Sequence, residues 1–226
     1  FLLRLNPMSA IRLEGSTSFR QRVVFAVLSG RSIRIENIRV DEEQPGLRDF
    51  EASFVRLVEK LTNGCRITID ETGTELRFKP GFVSGGRISH DCGTSRSIGY
   101  FLEGILPLCL FAKEAVSIAL TGITNDDVDL TVDAMRNVSL PLLSHFGVSD
   151  ASLKIKKRGA PPEGGGEVLF RCPVVKELQS VDLLDAGFVR RVRGVAYSTR
   201  VAPTLANRVV DKCRGVLNHF LPDVFV

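Results

Sequence analysis

The chain has 226 residues, 44% of them hydrophobic and 25% charged, and a formal net charge of +4. That length and apolar content suit one large domain, or one and a part, around a sizeable core. The mild positive charge permits an anionic partner without demanding one, and five scattered cysteines with no Cys-x-x-Cys pair exclude a disulfide framework and read as reduced thiols.

The opening Phe1-Leu2-Leu3-Arg4-Leu5 is too short and too soon interrupted for a signal peptide. The most apolar stretch, Ser97 to Ala112, is broken by Glu103 and Pro107 and falls short of the roughly 20 residues a membrane span needs. These features predict a soluble intracellular protein with no membrane partner. The missing initiator Met, and a stop at Val224-Phe225-Val226 without a polar tail, predict a piece of a longer chain.

In chain order, Ile11-Arg12-Leu13 leads through the N-cap candidates Gly15-Ser16-Thr17-Ser18 into a helix striped by Val23, Val24, Val27 and Leu28 and closed by Gly30. Ile33, Ile35, Ile38 and Val40 then predict a half-buried strand. After a polar loop, Phe50, Phe54, Leu57, Val58 and Leu61 line one face of a second helix that stops at Asn63-Gly64. Arg66-Ile67-Thr68-Ile69 and Glu75-Leu76-Arg77-Phe78 flank Glu71-Thr72-Gly73 as a hairpin.

The same order then returns. A helix from about Ser97 to Phe111 precedes the strand Val116-Ser117-Ile118, and Thr124-Asn125-Asp126-Asp127 is expected to start a helix ending at Phe146-Gly147. Ile35 and Ile118 lie 83 residues apart, as do Gly64 and Gly147. This predicts an α+β fold of duplicated strand-helix-strand-helix-strand-strand modules over residues 10–187. The second hairpin runs from Leu153-Lys154-Ile155-Lys156-Lys157 to Val168-Leu169-Phe170-Arg171-Cys172, with Lys154 and Lys156 on one face and Leu153 and Ile155 on the other. From Phe188 the pattern changes: Phe188 to Tyr197 reads as a strand, Pro203 opens a helix, and Val224-Phe225-Val226 reads as a strand cut short. Residues 188–226 are expected to begin a further, smaller α/β domain.

Few residues read as chemistry. His145 and His219 are placed in the last turns of their helices, where the dipole favours them. His90-Asp91-Cys92 resembles a site but, following Gly85-Gly86, reads better as a polar loop. Asn125-Asp126-Asp127-Val128-Asp129 reads as helix-start acids rather than a cation site. The sequence therefore offers no catalytic, metal or cofactor residue. Basic residues carry more: Arg20 and Arg22, Lys154, Lys156, Lys157 and Arg158, and Arg190, Arg191, Arg193 and Arg200 are candidates for RNA or an acidic partner, with a solvated face as the alternative.

Between the two strands of the second hairpin stands Arg158-Gly159-Ala160-Pro161-Pro162-Glu163-Gly164-Gly165-Gly166-Glu167-Val168. Local rules read it as a glycine turn or as a ligand cradle. The order of Arg158, Gly159, Pro162, Gly164, Gly165 and Gly166 resembles the signature of the RNA 3′-terminal phosphate cyclase family. Leu28-Ser29-Gly30, Pro45-Gly46-Leu47, Phe78-Lys79-Pro80-Gly81, Gly85-Gly86, Leu106-Pro107, Thr121-Gly122-Ile123-Thr124-Asn125-Asp126 and Leu140-Pro141-Leu142-Leu143 extend the likeness over nearly the whole chain.

The resemblance implies repeated α+β modules with a smaller inserted domain, and ATP-driven closure of an RNA 3′-phosphate through a histidine–AMP intermediate. The departures matter equally. The enzymes carry Gly-Glu-Gly-Gly-Gly-Gln before the first helix, where this chain has Glu14-Gly15-Ser16-Thr17-Ser18-Phe19 and then Arg20. Glycines that admit a phosphate are replaced by a bulky ring. The enzymes' nucleophilic histidine falls beyond Val226, and none of the three histidines here matches it. With Gly46-Leu47-Arg48-Asp49-Phe50-Glu51 and Gly194-Val195-Ala196-Tyr197-Ser198-Thr199-Arg200-Val201, this is similar to the cyclase-like, Rcl-type nucleolar branch. That likeness implies a factor of the small-subunit processome in the nucleolus of the nucleus. Such a factor needs no cofactor of its own, serves early pre-rRNA cleavages, and binds a processome GTPase and the snoRNP-containing pre-ribosome. The alternatives are a pre-rRNA endonuclease or an active ATP-dependent cyclase.

Overall fold

Strands that alternate apolar with charged residues build the first sheet in the computed structural model, which describes residues 10–185, 187–199 and 201–226. β1 (Ile11–Glu14) runs parallel to β2 (Ile33–Glu36), and the intervening chain forms helix α1 (Phe19–Ser29). Gly30, at φ +67°, ends that helix with its amide on the Val27 carbonyl at 3.2 Å. Next comes α2 (Asp49–Leu61), then β3 (Thr62–Asn63), β4 (Arg66–Ile69), β5 (Leu76–Lys79) and β6 (Phe82–Val83). The sheet has the order β1-β2-β5-β4, while β3 and β6 form a small pair of their own.

The second module repeats this arrangement. β7 (Gly86–Asp91), α3 (Ile98–Cys109), β8 (Val116–Gly122), α4 (Val132–Ala134), a π-helical turn (Met135–Ser139), α5 (Leu140–His145), β9 (Ser152–Lys157) and β10 (Gly166–Cys172) give a sheet ordered β7-β8-β10-β9. Each sheet has one parallel pair followed by two antiparallel ones. Ile35 and Ile118 are each the third residue of their sheet's second strand and are fully buried. Gly64 and Gly147 both turn the chain at positive φ after the helical segment.

The inward residues of each sheet meet the helices: Ile33, Ile35, Leu76 and Phe78 from the first, Ile118, Leu120, Val168 and Phe170 from the second. Helix α3 is apolar nearly all round and packs against α1. Gly104 makes room for the Phe54 ring, since a Cβ there would lie 2.5 Å from its Cε2. Burying each such side chain contributes about 1.5–3 kcal/mol. No helix among the described residues is long and apolar enough to cross a membrane.

Three expectations change within the two modules. The strand begun at Ile33 ends at Glu36, because Asn37 and Arg39 take φ values of +55° and +51° that no strand accommodates; Val40 is half exposed. The helix expected from Thr124 starts only at Val132, capped by Thr131, whose Oγ1 accepts the Ala134 amide at 3.1 Å. A π turn directly precedes the segment holding Pro141, whose ring nitrogen has no proton to give the preceding turn. His90-Asp91-Cys92 is no loop: His90 and Asp91 end β7, with His90 turned inward.

The chain divides into two compact units, the first ending at Gln179 and the second running from Ser180 to Val226. In the second, β11 (Val192–Arg193) pairs in parallel with β12 (Val224–Phe225), and Pro203 precedes α6 (Thr204–Leu217). The strand expected over Phe188 to Tyr197 is thus only two residues long, because β12 offers only two partners. His219 lies in the turn after α6 rather than within it.

Candidate functional site

The loop between β1 and α1 is closed from within. Ser18 takes φ +53° and caps α1 without a side-chain hydrogen bond, and Phe19 drives its ring into the core. Arg22 turns back from the helix, and its Nη1 donates to the carbonyls of Glu14 and Gly15 at 2.9 and 2.8 Å. Arg20 points the other way. Its Nη1 donates to the Tyr100 carbonyl at 2.6 Å, its Nη2 pairs with Glu103 at 2.6 Å, and its guanidinium lies 4.6 Å from the centre of the Tyr100 ring.

Beside this loop is a polar cleft of about 270 Å³, lined among others by Ser16, Ser18, Arg20, Arg39, Arg96 and Tyr100. Arg96 stacks on Tyr100 at 4.6 Å and on Phe50 at 5.0 Å while forking onto Asp129, with Nε 2.8 Å from Oδ2. Arg39 forks onto the buried carboxylate of Glu51 with both bonds at 2.7 Å. Glu51 also accepts the Arg48 amide at 2.9 Å, and Asp129 accepts the Ser97 amide at 3.2 Å. All three guanidiniums of the cleft therefore already hold a carboxylate. Burial pushes the Tyr100 phenol up to about 12, against the pull of Arg20. The site is an electrically balanced lattice around an aromatic ring.

The glycine hairpin is equally well satisfied. Thr124 is buried beneath it: its amide and its Oγ1 both donate to the Gly159 carbonyl at 2.9 Å, and Oγ1 accepts the Gly159 amide at 3.2 Å. A Cβ at Gly159 would overlap the Gly166 nitrogen and come within 2.5 Å of the Gly122 carbonyl oxygen. One at Gly166 would lie 2.7 Å from that same oxygen. Gly164 and Gly165 need positive φ, and Gly165 alone of the three consecutive glycines faces open space. Pro162 follows Pro161 through a cis bond. Arg158 forks onto Asp133 at 2.6 and 2.9 Å, and the hydrogen bonds from Arg158 hold that carboxyl below its usual range.

Of the strand lysines, Lys156 pairs with Glu167 at 2.6 Å, while Lys154 and Lys157 project outward. Arg193 pairs with Asp223 at 2.8 Å, and Arg190 and Arg191 precede it outside the strand, exposed. Arg200 lies outside the described residues. The structure thus gathers Lys154, Lys156, Lys157 and Arg158 at one sheet edge and hairpin, and turns Arg20 and Arg22 to opposite internal tasks. The sequence singles out neither Arg39 nor Arg96, although Arg96 stands in the turn Gly93-Thr94-Ser95-Arg96-Ser97 and Arg39 just before the polar loop that begins at Asp41.

Conventional catalytic groups are scarce. His90 is buried, its Nε2 2.9 Å from Ser53 Oγ, and burial followed by the Lys60 charge brings its pKa down to about 4. Its Nδ1 faces Lys60 at 3.5 Å instead of a carboxylate, so the pair lacks the third group of a triad. Burial raises the thiols of Cys65, Cys92, Cys109 and Cys172. Among the described residues no group of three His, Cys, Asp or Glu is placed to hold a metal ion.

The family model for RNA 3′-terminal phosphate cyclase matches residues 11–222. A "Probable RNA 3′-terminal phosphate cyclase-like protein" of Dictyostelium discoideum is 51% identical over 218 residues, covering 96% of this chain and 59% of that one. The human "RNA 3′-terminal phosphate cyclase-like protein" is 51% identical over 214 residues, covering 94% and 57%. The "rRNA processing protein rcl1" of Schizosaccharomyces pombe is 52% identical over 218 residues, covering 95% and 60%. The chain therefore spans less than two thirds of the length of these curated relatives.

Proposed function

The chain belongs to the RNA 3′-terminal phosphate cyclase family, and from that membership we propose that it serves rRNA processing as an assembly factor and not as a cyclase. Its place is the small-subunit processome of the nucleolus, where it supports early pre-rRNA cleavages together with a GTPase partner. The observation that carries this reading is the β1–α1 loop: Phe19 is packed into the core where the enzymes' glycines would leave backbone open to a nucleotide. The cleft beside it agrees, since Arg20, Arg39 and Arg96 are each matched by Glu103, Glu51 or Asp129. A nucleoside triphosphate would have to displace three carboxylates, so these residues do not fit ATP.

The fission-yeast relative, an rRNA processing protein by name, supports the rRNA half of the proposal. We assign contact with pre-rRNA or an acidic partner chiefly to Lys154 and Lys157, and to Arg190 and Arg191, which are exposed and hold no ion pair among the described residues. Residues 188–226 are read as the start of the inserted domain. The test incubates the full-length protein with α-labelled ATP and an RNA ending in a 3′-phosphate, beside an active cyclase. No protein–AMP adduct and no cyclic end is the expected result; a covalent adduct would overturn the reading.

A further inference from the structure

The outer face of the first sheet has no part in the cleft. Strand alternation places Arg12, Arg34, Arg77 and Thr68 side by side in one register row across β1, β2, β5 and β4, with Arg66 opposite Lys79 in the next. Like charges directly opposite on a sheet destabilise it. Three adjacent arginines and a facing Arg–Lys pair are thus an unfavourable arrangement that the fold alone does not require. Acids do lie on this face, at one end: Glu75 accepts from Arg34 at 2.8 and 2.7 Å and from Arg77 at 2.5 Å, and Glu36 pairs with Arg34 at 2.7 Å. Arg12, Arg66 and Lys79 hold no ion pair among the described residues.

A cleft of about 280 Å³ opens on this surface, lined by Arg34, Arg66, Arg77 and Lys79 together with Ser32 and Thr68, and by no carboxylate. Guanidinium forks with neighbouring hydroxyls are the donor set that phosphate oxygens accept. The row of three arginines spans about 10 Å at the usual ~4.8 Å between strands, more than one phosphate covers. We infer that this face binds the phosphodiester backbone of a single RNA strand laid across β1, β2, β5 and β4, with the cleft seating one phosphate. The inference rests on the reading that the protein works on RNA, and adds a surface distinct from the hairpin lysines.

The test is the anisotropy of a short labelled single-stranded RNA titrated with the chain across a range of KCl. The variant R12A/R66A/K79A leaves no carboxylate without its partner. It should weaken binding about tenfold or more and reduce the slope of log K against log salt by about 2, at roughly 0.7 for each phosphate no longer neutralised. R12K/R66K/K79R should keep the native slope. R87A/R171A, which empties the matching row of the second sheet, should change neither quantity. A native slope and affinity in the triple alanine variant would overturn this inference alone. Failure of the native chain to bind RNA would overturn it together with the reading it rests on. Tighter binding of polyaspartate than of RNA, abolished in the same variant, would assign the face to an acidic protein instead.

Discussion

Gly159→Ala separates two meanings of the glycine signature. If the hairpin is a packed turn, the added methyl has nowhere to go, because its three nearest neighbours are backbone atoms of Gly166, Gly122 and Gly164. Relieving that overlap means moving the Gly159 peptide away from Thr124, and three hydrogen bonds of 2.9, 2.9 and 3.2 Å go with it. At about 1 kcal/mol net for each bond, the loss is about 3 kcal/mol. Gly165→Ala meets open space at φ +80°, so it should cost only the ~1–2 kcal/mol of a left-handed alanine. Urea unfolding midpoints of the two variants measure the difference, and amide exchange at Thr124 should accelerate in the first variant only. Equal destabilisation of the two would refute the packing argument. A Gly165→Ala protein of nearly native stability that no longer binds RNA would make the loop a ligand cradle.

Two further predictions concern buried charge. His90 has a folded pKa near 4 against an ordinary 6.5, so the unfolded chain binds more protons between those values and stability falls as pH drops through that window. Going from pH 7 to 5 should cost about 2 kcal/mol by urea unfolding, and His90→Gln should remove most of that slope; an unchanged slope would show that the imidazole is not the group responsible. Arg39→Met strips the nearly buried Glu51 of both guanidinium bonds and should cost about 3–5 kcal/mol, with Glu51→Gln in the same chain recovering part of it. A loss below about 1 kcal/mol would mean that water reaches the carboxylate.

The architecture was legible wherever local rules act alone. Gly30, Gly64 and Gly147 each turn the chain where an L-residue would be strained, and the 83-residue offset fell on matching points of two sheets. Local reading failed where a side chain serves a distant partner. Asp126 and Asp129 look like helix-start acids, yet Asp126 accepts the amides of Val128 and Asp129, while Asp129 caps α3 and holds Arg96, more than thirty residues upstream. Arg39 lies past the end of β2 in left-handed backbone and reaches Glu51 on the next helix. The outer arginine face was visible in principle, because Ile11-Arg12-Leu13, Ile33-Arg34-Ile35 and Leu76-Arg77-Phe78 repeat one pattern. Only the register shows that the three arginines fall in one row.

Neither sheet borrows a strand from the other: the first is complete by Lys79, and the second begins at Gly86. Each can close its backbone hydrogen bonds from chain already made during synthesis, without waiting for a distant segment. The helices follow a different timetable, since α1 packs against α3 and the Phe54 ring sits in the space that Gly104 leaves. A nascent chain that has finished its first sheet therefore still shows water one side of α1 and α2. The second module's first contribution, well before its own sheet is done, is to cover them.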